Sequence, residues 1–171
     1  MTKGKYTKGF TLVELLVVIA IIAILAGAMF LVINPAKLMM KARDSKRMAE
    51  LTELNKGIGL AVADSKVTII AQASSSTCTA GKTFVVDGTG WVVFTGSLSS
   101  YISALPRDPL NVAPNCYIYG ANALGEWELD AALESLDNAT VATNDGGNAN
   151  TCTTMPAAAC QYELGTNRTI L

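Results

Sequence analysis

The sequence contains no histidine, so it lacks the commonest general base and the commonest transition-metal ligand. It also has no G-x-S-x-G element, no Gly-rich phosphate loop and no recognisable site of paired acids. An enzymatic role is not expected, and no cofactor and no metal ligand set is assigned. No cysteine precedes Cys78, and none of the four (Cys78, Cys116, Cys152, Cys160) forms a C-x-x-C pair. An even count behind an export-type N-terminus favours disulfides over zinc. Four cysteines allow three connectivities. The short separation of Cys152 and Cys160, with Pro156 between them, makes that loop easy to close and leaves Cys78 with Cys116.

Basic residues are scarce in the C-terminal part: residues 67–171 carry three bases against nine acids, whereas residues 34–66 carry seven bases against four acids. Nucleic-acid binding by the C-terminal region is not expected, because phosphate neutralisation needs a basic patch there. The basic cluster KLMMKARDSKR lacks interleaved aromatics and reads as a solvated helix face rather than a lipid or DNA site. At 171 residues the chain allows one domain besides its N-terminal segment.

What the sequence does have is a long apolar run. Residues 10–33 contain a single charge, Glu14, behind a leader with Lys3, Lys5 and Lys8. At about 1.5 Å per residue, a helix of that length spans the roughly 30 Å hydrocarbon core of a bilayer. A plain membrane anchor fits this run, and so does a secretory signal peptide, since Ala26-Gly27-Ala28 resembles an A-x-A cleavage site. A buried helix of a soluble protein fits poorly. Neither plain reading accounts for Glu14, and a carboxylate in hydrocarbon is costly and functional by default.

KGFTLVELLVVIAIIAILAGAMF, residues 8–30, resembles the N-terminus of type IV prepilins and of the pseudopilins of type II secretion. The resemblance implies that a membrane prepilin peptidase cuts between Gly9 and Phe10, that the new amine of Phe10 is N-methylated, and that Glu14 guides subunit docking. The physics is consistent with this. Cleavage creates a cation at Phe10, a helix N-terminus favours nearby negative charge, and a carboxylate meeting a neighbouring subunit's amine compensates two charges that are each costly alone. Five bases follow the span against three before it. The leader is nonetheless placed in the cytoplasm, where the family's peptidase requires it, because large domains translocate with limited regard to charge.

Beyond the span, Met48, Leu51, Leu54, Ile58 and Ala61 recur at helical spacing and predict an amphipathic helix to about Ser65, with a kink or break at Pro35. Gly57 and Gly59 weaken it or admit a close neighbour. AQASSSTCTAG (71–81) reads as a loop. TFVV and WVVF around Asp87-Gly88-Thr89-Gly90 predict a hairpin, and SLSSYISAL a short helical turn stopped by Pro106. CYIY and EWELDAALE predict strands, the second with Trp127, Leu129 and Ala131 facing the stem and Glu126, Glu128 and Asp130 facing water. The order of the Leu-Pro-x-Asp-Pro segment, a Tyr-rich strand, TNDGGN and YELGTN is similar to the heads of pseudopilins and related pilins. In pseudopilins a loop of this region holds calcium. No dense D-x-D ladder occurs here, so no ligand is carried over, and Asp145 and the acidic strand face are the places to look.

The expected architecture is α+β and pilin-like, a long N-terminal helix kinked near Pro35 with a small C-terminal antiparallel sheet. Residues 1–9 form the leader, 10–33 the transmembrane and filament-core helix, 34–66 the amphipathic helix and 67–171 the head. The expected function is a structural subunit of a type IV pilus-like filament. Its implied partners are further copies in a helical homo-oligomer, prepilin peptidase, and the inner-membrane pilus or secretion machinery. It would be a single-pass inner-membrane precursor and then an extracellular or periplasmic filament. A major pseudopilin of type II secretion is the alternative, and a membrane-anchored binding protein that never polymerises is the second.

Overall fold

The computed structural model describes residues 9–32, 34–153 and 160–171. The chain divides into two compact units, residues 1–38 and 39–171. The first contains helix α1, Leu12–Val32, built mainly from Leu, Val, Ile and Ala, with Glu14 in its first turn and one glycine, Gly27. Its stretch Leu12–Met29 is long and apolar enough to cross a membrane, and none of that stretch is buried within the chain. α1 does not kink at Pro35; it stops, and α2 (Pro35–Ala63) begins there. Pro35 has no N–H to donate and takes the first helical position, where none is needed, while the Asn34 side chain accepts from the amides of Ala36 (3.1 Å) and Lys37 (3.3 Å).

The second unit packs α2, from Met39 onward, against two antiparallel sheets. One pairs β1 (Val67–Ile69) with β3 (Phe94–Gly96). The other has the order β2-β4-β5-β6, with β2 at Gln72–Ser76, β4 at Tyr117–Ala121, β5 at Trp127–Ala132 and β6 at Gln161–Gly165. A short 3-10 turn (Leu136–Asn138) and helix α3 (Ala139–Thr143) follow β5. The core joins Leu51, Leu54, Ile58 and Ala61 of α2 to Trp91, Phe94, Tyr117, Tyr119, Trp127 and Leu129. Each large apolar side chain so buried contributes about 1.5–3 kcal/mol. The polar tips of the aromatics are also satisfied: Tyr117 donates to Glu50 (2.5 Å), Tyr119 to the Val93 carbonyl (3.1 Å), Trp91 to the Pro106 carbonyl (3.1 Å) and Trp127 to Asn55 (2.9 Å).

Polar residues extend the buried stripe of α2 toward its N-terminal side. Arg47 is fully buried. Its guanidinium grips both carboxylate oxygens of Asp108 (2.6 and 3.1 Å), and meets Asp44 at 3.0 Å and Glu134 at 2.5 Å. Arg43 closes a second fork on Glu134, at 2.8 and 2.5 Å. Asp44 in turn accepts the amides of Glu134 and Ser135 and the side-chain amide of Asn138, each at 2.9 Å. The basic cluster is therefore not simply a solvated face: Arg47 is an interior anchor, Arg43 is half-buried beside it, and Lys41 pairs with Asp137 at 2.6 Å. Helical periodicity placed these residues on the helix but could not show that acids 61 to 96 residues away meet them.

Three further expectations change. The Ser-rich run is not only loop, since Gln72–Ser76 pairs with β4 across a register shift. TFVV and WVVF form no hairpin. The carbonyls of Thr83, Phe84 and Val86 accept from Trp91, Leu105 and Leu98, while Phe94 leads into β3 beside β1. Asp87 instead closes a tight turn through the amide and hydroxyl of Thr89 (3.0 and 2.7 Å). SLSSYISAL makes one turn on the Leu98 carbonyl, and α2 ends at Ala63. Gly57 faces Ile102, whose side chain would lie 3.3 Å from an added Cβ, whereas Gly59 faces open space. Most consequentially, the acidic face of β5 is not in water: Glu128 and Asp130 are buried.

Removing a buried ion-pair partner strands the others, so Arg47→Met is expected to destabilise the head by about 3–5 kcal/mol, read as urea unfolding of the full chain in detergent. Burial raises the Glu134 pKa, but the hydrogen bonds of Arg43 and Arg47 outweigh it and hold the group below its ordinary value. The associated stability is present above the unfolded carboxyl pKa, roughly 4.3, and lost as pH falls through the lower folded value. Thermal melts between pH 6 and pH 2 are expected to show this loss, and Glu134→Gln to be less stable at pH 6 with a shallower acid slope.

Candidate functional site

Gly9 and Phe10 precede the first turn of α1 in exposed, non-helical backbone. Thr11 is the residue before the helix, and its carbonyl accepts the first helical bond, from the Leu15 amide at 3.2 Å. Its hydroxyl also accepts from the amide of Glu14 at 3.3 Å. Glu14 reaches back in return: its Oε2 accepts from the Thr11 amide and from the Thr11 hydroxyl, both at 2.8 Å. This reciprocal pattern is a capping box, which satisfies amide donors that the first helical turn leaves unpaired. The T-x-x-E spacing that forms it was legible in Thr11-Leu12-Val13-Glu14, and the sequence reading passed over it. So Glu14 is not an isolated carboxylate in an apolar run. It is tied to its own helix start through one oxygen, while Oε1 takes no partner among the described residues.

Around this polar knot every side chain is apolar and exposed. Phe10 is 82% exposed and Leu12 79%, and Val13, Leu15, Leu16, Ile19 and Ile22 continue the uncovered surface. A surface this apolar is a contact surface for lipid or for other helices.

The cysteines lie in the second unit. Cys78 bonds Cys116, joining the chain just after β2 to the chain just before β4. Cys152 bonds Cys160 and closes the approach to β6. Pro156, expected within that loop, lies outside the described residues.

A third constellation adds Glu163 to the acidic strand face singled out in the sequence. Glu128 and Asp130 of β5 and Glu163 of β6 bring one carboxylate oxygen each to within 4.8 Å of one another, all in buried residues. Asp130 and Glu163 are directly opposite in the strand register. Burial first, then the charges of Glu128, Glu163 and Asp145, push the Asp130 carboxyl up to about 9. Burial, with Asp145 and Glu128 close by, also raises Glu163, against the amides of Ala149 and Asn148 that lower it. The i, i+2 spacing on β5 was visible in the sequence; the cover over it was not.

Residues 4–30 match the family model described as the prokaryotic N-terminal methylation motif. That motif is characteristic of type IV pilins and pseudopilins, and with the exposed apolar helix it fits a membrane-anchored precursor processed by prepilin peptidase. No curated protein and no solved structure matches the chain.

Losing the N-cap hydroxyl should loosen the first turn of α1. For Thr11→Ala, amide exchange at Leu12–Glu14 in micelles is expected to accelerate roughly fivefold, the equivalent of one lost cap, with the rest of the chain unchanged.

Proposed function

We propose that the chain is a structural subunit of a type IV pilus-like filament, cut between Gly9 and Phe10 and polymerised through α1, with assembly rather than catalysis as its activity. The observation that carries this reading is the helix itself: an uncovered apolar rod whose single carboxylate is held at its very start, four residues beyond Phe10.

Both members of the capping box lie on the mature side of that cut. Processing therefore leaves the helix start intact and adds a positive amine at Phe10 beside it. Glu14 Oε2 stays with Thr11, and Oε1 is available to the N-methylated amine of a neighbouring subunit. In a low-dielectric core the two charges compensate each other and penalise any other axial register. The contact joins one patch to a different patch on the next copy, so it is heterologous and propagates as a helix rather than closing as a dimer. The exposed side chains of α1 exchange lipid for like helices, and the heads form the outer surface. A pseudopilin of type II secretion would use the same stem, and loss of surface filaments versus loss of enzyme export in a deletion strain separates the two.

Intact-mass analysis of the assembled protein is expected to show a chain beginning at N-methylated Phe10. A retained leader, or a start at Met29, would overturn the reading in favour of a simple anchor or a cleaved signal. Glu14→Gln separates the two tasks of the residue, because an amide oxygen can still cap Thr11 but carries no charge. It is expected to be processed and inserted normally while filament yield falls at least tenfold. Wild-type yield would remove the docking role.

A further inference from the structure

We propose that Asn167 is a glycosylation site, its side-chain nitrogen accepting a sugar from a polyprenyl-phosphate carrier on the outer side of the membrane. The inference stands apart from the assembly reading. It needs only a head that leaves the cytoplasm, where its two disulfides can persist.

Two Asn-x-Thr triplets occur in the sequence, Asn138-Ala139-Thr140 and Asn167-Arg168-Thr169. The triplet is the acceptor pattern for N-linked sugars, and chance also produces it. The fold separates the two. Asn138 ends the 3-10 turn, and Ala139 and Thr140 begin α3. The Asn138 Nδ2 donates to Oδ2 of the fully buried Asp44 at 2.9 Å. Its nitrogen is thus committed to the hub around Arg47, and a sugar there would break that anchor.

Asn167 is set differently. It follows β6 in non-helical backbone, half-buried, with Thr169 exposed two residues on. Its Oδ1 accepts from the Thr169 amide (3.2 Å) and from the Thr169 hydroxyl (2.8 Å). The hydroxyl that the triplet requires therefore already meets the carboxamide that must react.

A second contact reaches the reacting atom itself. Asn167 Nδ2 donates to Glu126 Oε2 at 3.0 Å. The amides of Asn167 and Asn122 hold the Glu126 carboxyl below its ordinary value, so it accepts as an anion. An anion on that N–H raises the electron density at nitrogen, and a carboxamide nitrogen is otherwise a poor nucleophile.

The backbone fixes the presentation. The amides of Thr166 and Asn167 donate to the Trp127 carbonyl (3.1 and 3.4 Å), and the Thr166 hydroxyl accepts from the Trp127 amide at 3.0 Å. Asn122 ties the same Glu126 oxygen to the turn between β4 and β5 at 2.6 Å. The acceptor stands on a pinned surface turn, where a bulky, hydrated group is accommodated without disturbing the core.

The transfer balances without an oxidant or reductant. The bond from the sugar's anomeric carbon to the carrier phosphate breaks, and a C–N bond forms at Asn167 Nδ2. One Nδ2 proton passes to a base of the membrane transferase, and the polyprenyl phosphate leaves.

The test uses the full chain extracted from its own cells. After reduction, cleavage behind glutamate releases residues 164–171, with Asn167, and residues 135–163, with Asn138. Mass spectrometry with fragmentation is expected to find sugar on the Asn167 nitrogen and none on Asn138. Asn167→Gln and Thr169→Ala are expected to abolish the added mass, while Thr169→Ser, which keeps the hydroxyl, retains it. Unchanged circular dichroism and intact disulfides show that the variants are folded, and the wild-type peptide map decides the matter if one is not. An unmodified 164–171 peptide, sugar on Asn138, sugar on the hydroxyl of Thr166 or Thr169, or sugar that survives Thr169→Ala would overturn the proposal.

Discussion

The position of Arg47 governs the head. A fully buried guanidinium must find anionic partners on several sides, and it finds them in Asp44 one turn away, in Asp108 at the Leu-Pro-Arg-Asp-Pro segment and in Glu134 just beyond β5. With Arg43 included, the hub holds two cations and three carboxylates. Backbone donors absorb the excess charge: the amides of Leu110 and Asn111 bind Asp108, and those of Glu134 and Ser135 bind Asp44. Such a cluster adds less stability than an apolar core of equal volume would, but it accepts few alternatives. Once Arg47 is seated, the rotation of α2 is set, and Leu51, Leu54, Ile58 and Ala61 fall on the side that meets the sheet.

The four-stranded sheet then has two interiors of opposite character. Tyr117, Tyr119, Trp127 and Leu129 line the inner face against α2, with their polar tips bonded to the helix or to neighbouring loops. The other face carries Glu128, Asp130 and Glu163 under a cover of backbone amides. The first face is held by area, the second by directed bonds to carboxylates. The two disulfides sit at the margins of this arrangement, one at the start of β4 and one before β6.

How much of this the sequence reveals depends on the range of the force involved. The α1 span, its break at Asn34-Pro35, and the strands at Tyr117–Ala121 and Trp127–Ala132 follow from local patterns of hydropathy, proline and alternation, and these were legible. β2 was hidden because Gln-Ala-Ser-Ser-Ser lacks strand-forming side chains and pairs only because β4 offers it an edge. The hairpin expected around Asp87 fails because the carbonyls of Phe84 and Val86 are claimed by the amides of Leu105 and Leu98, outside the expected partner strand. The alternation in β5 identified which residues share a face but not what lies over that face, so acids expected in water are interior. The Thr11-Glu14 cap is local, and its T-x-x-E spacing is readable in the sequence alone.

Sequence separation also imposes an order on folding. Arg47 waits for partners 61 and 87 residues further along the chain, and the acids of β5 wait for Glu163, Ile170 and Leu171, 33 to 43 residues on. Contacts this distant are slow to form, and each must wait until its later partner has been made. The acidic face of the sheet can therefore close only after β6, Ile170 and Leu171 have been made, so a chain interrupted before them is left with uncovered carboxylates.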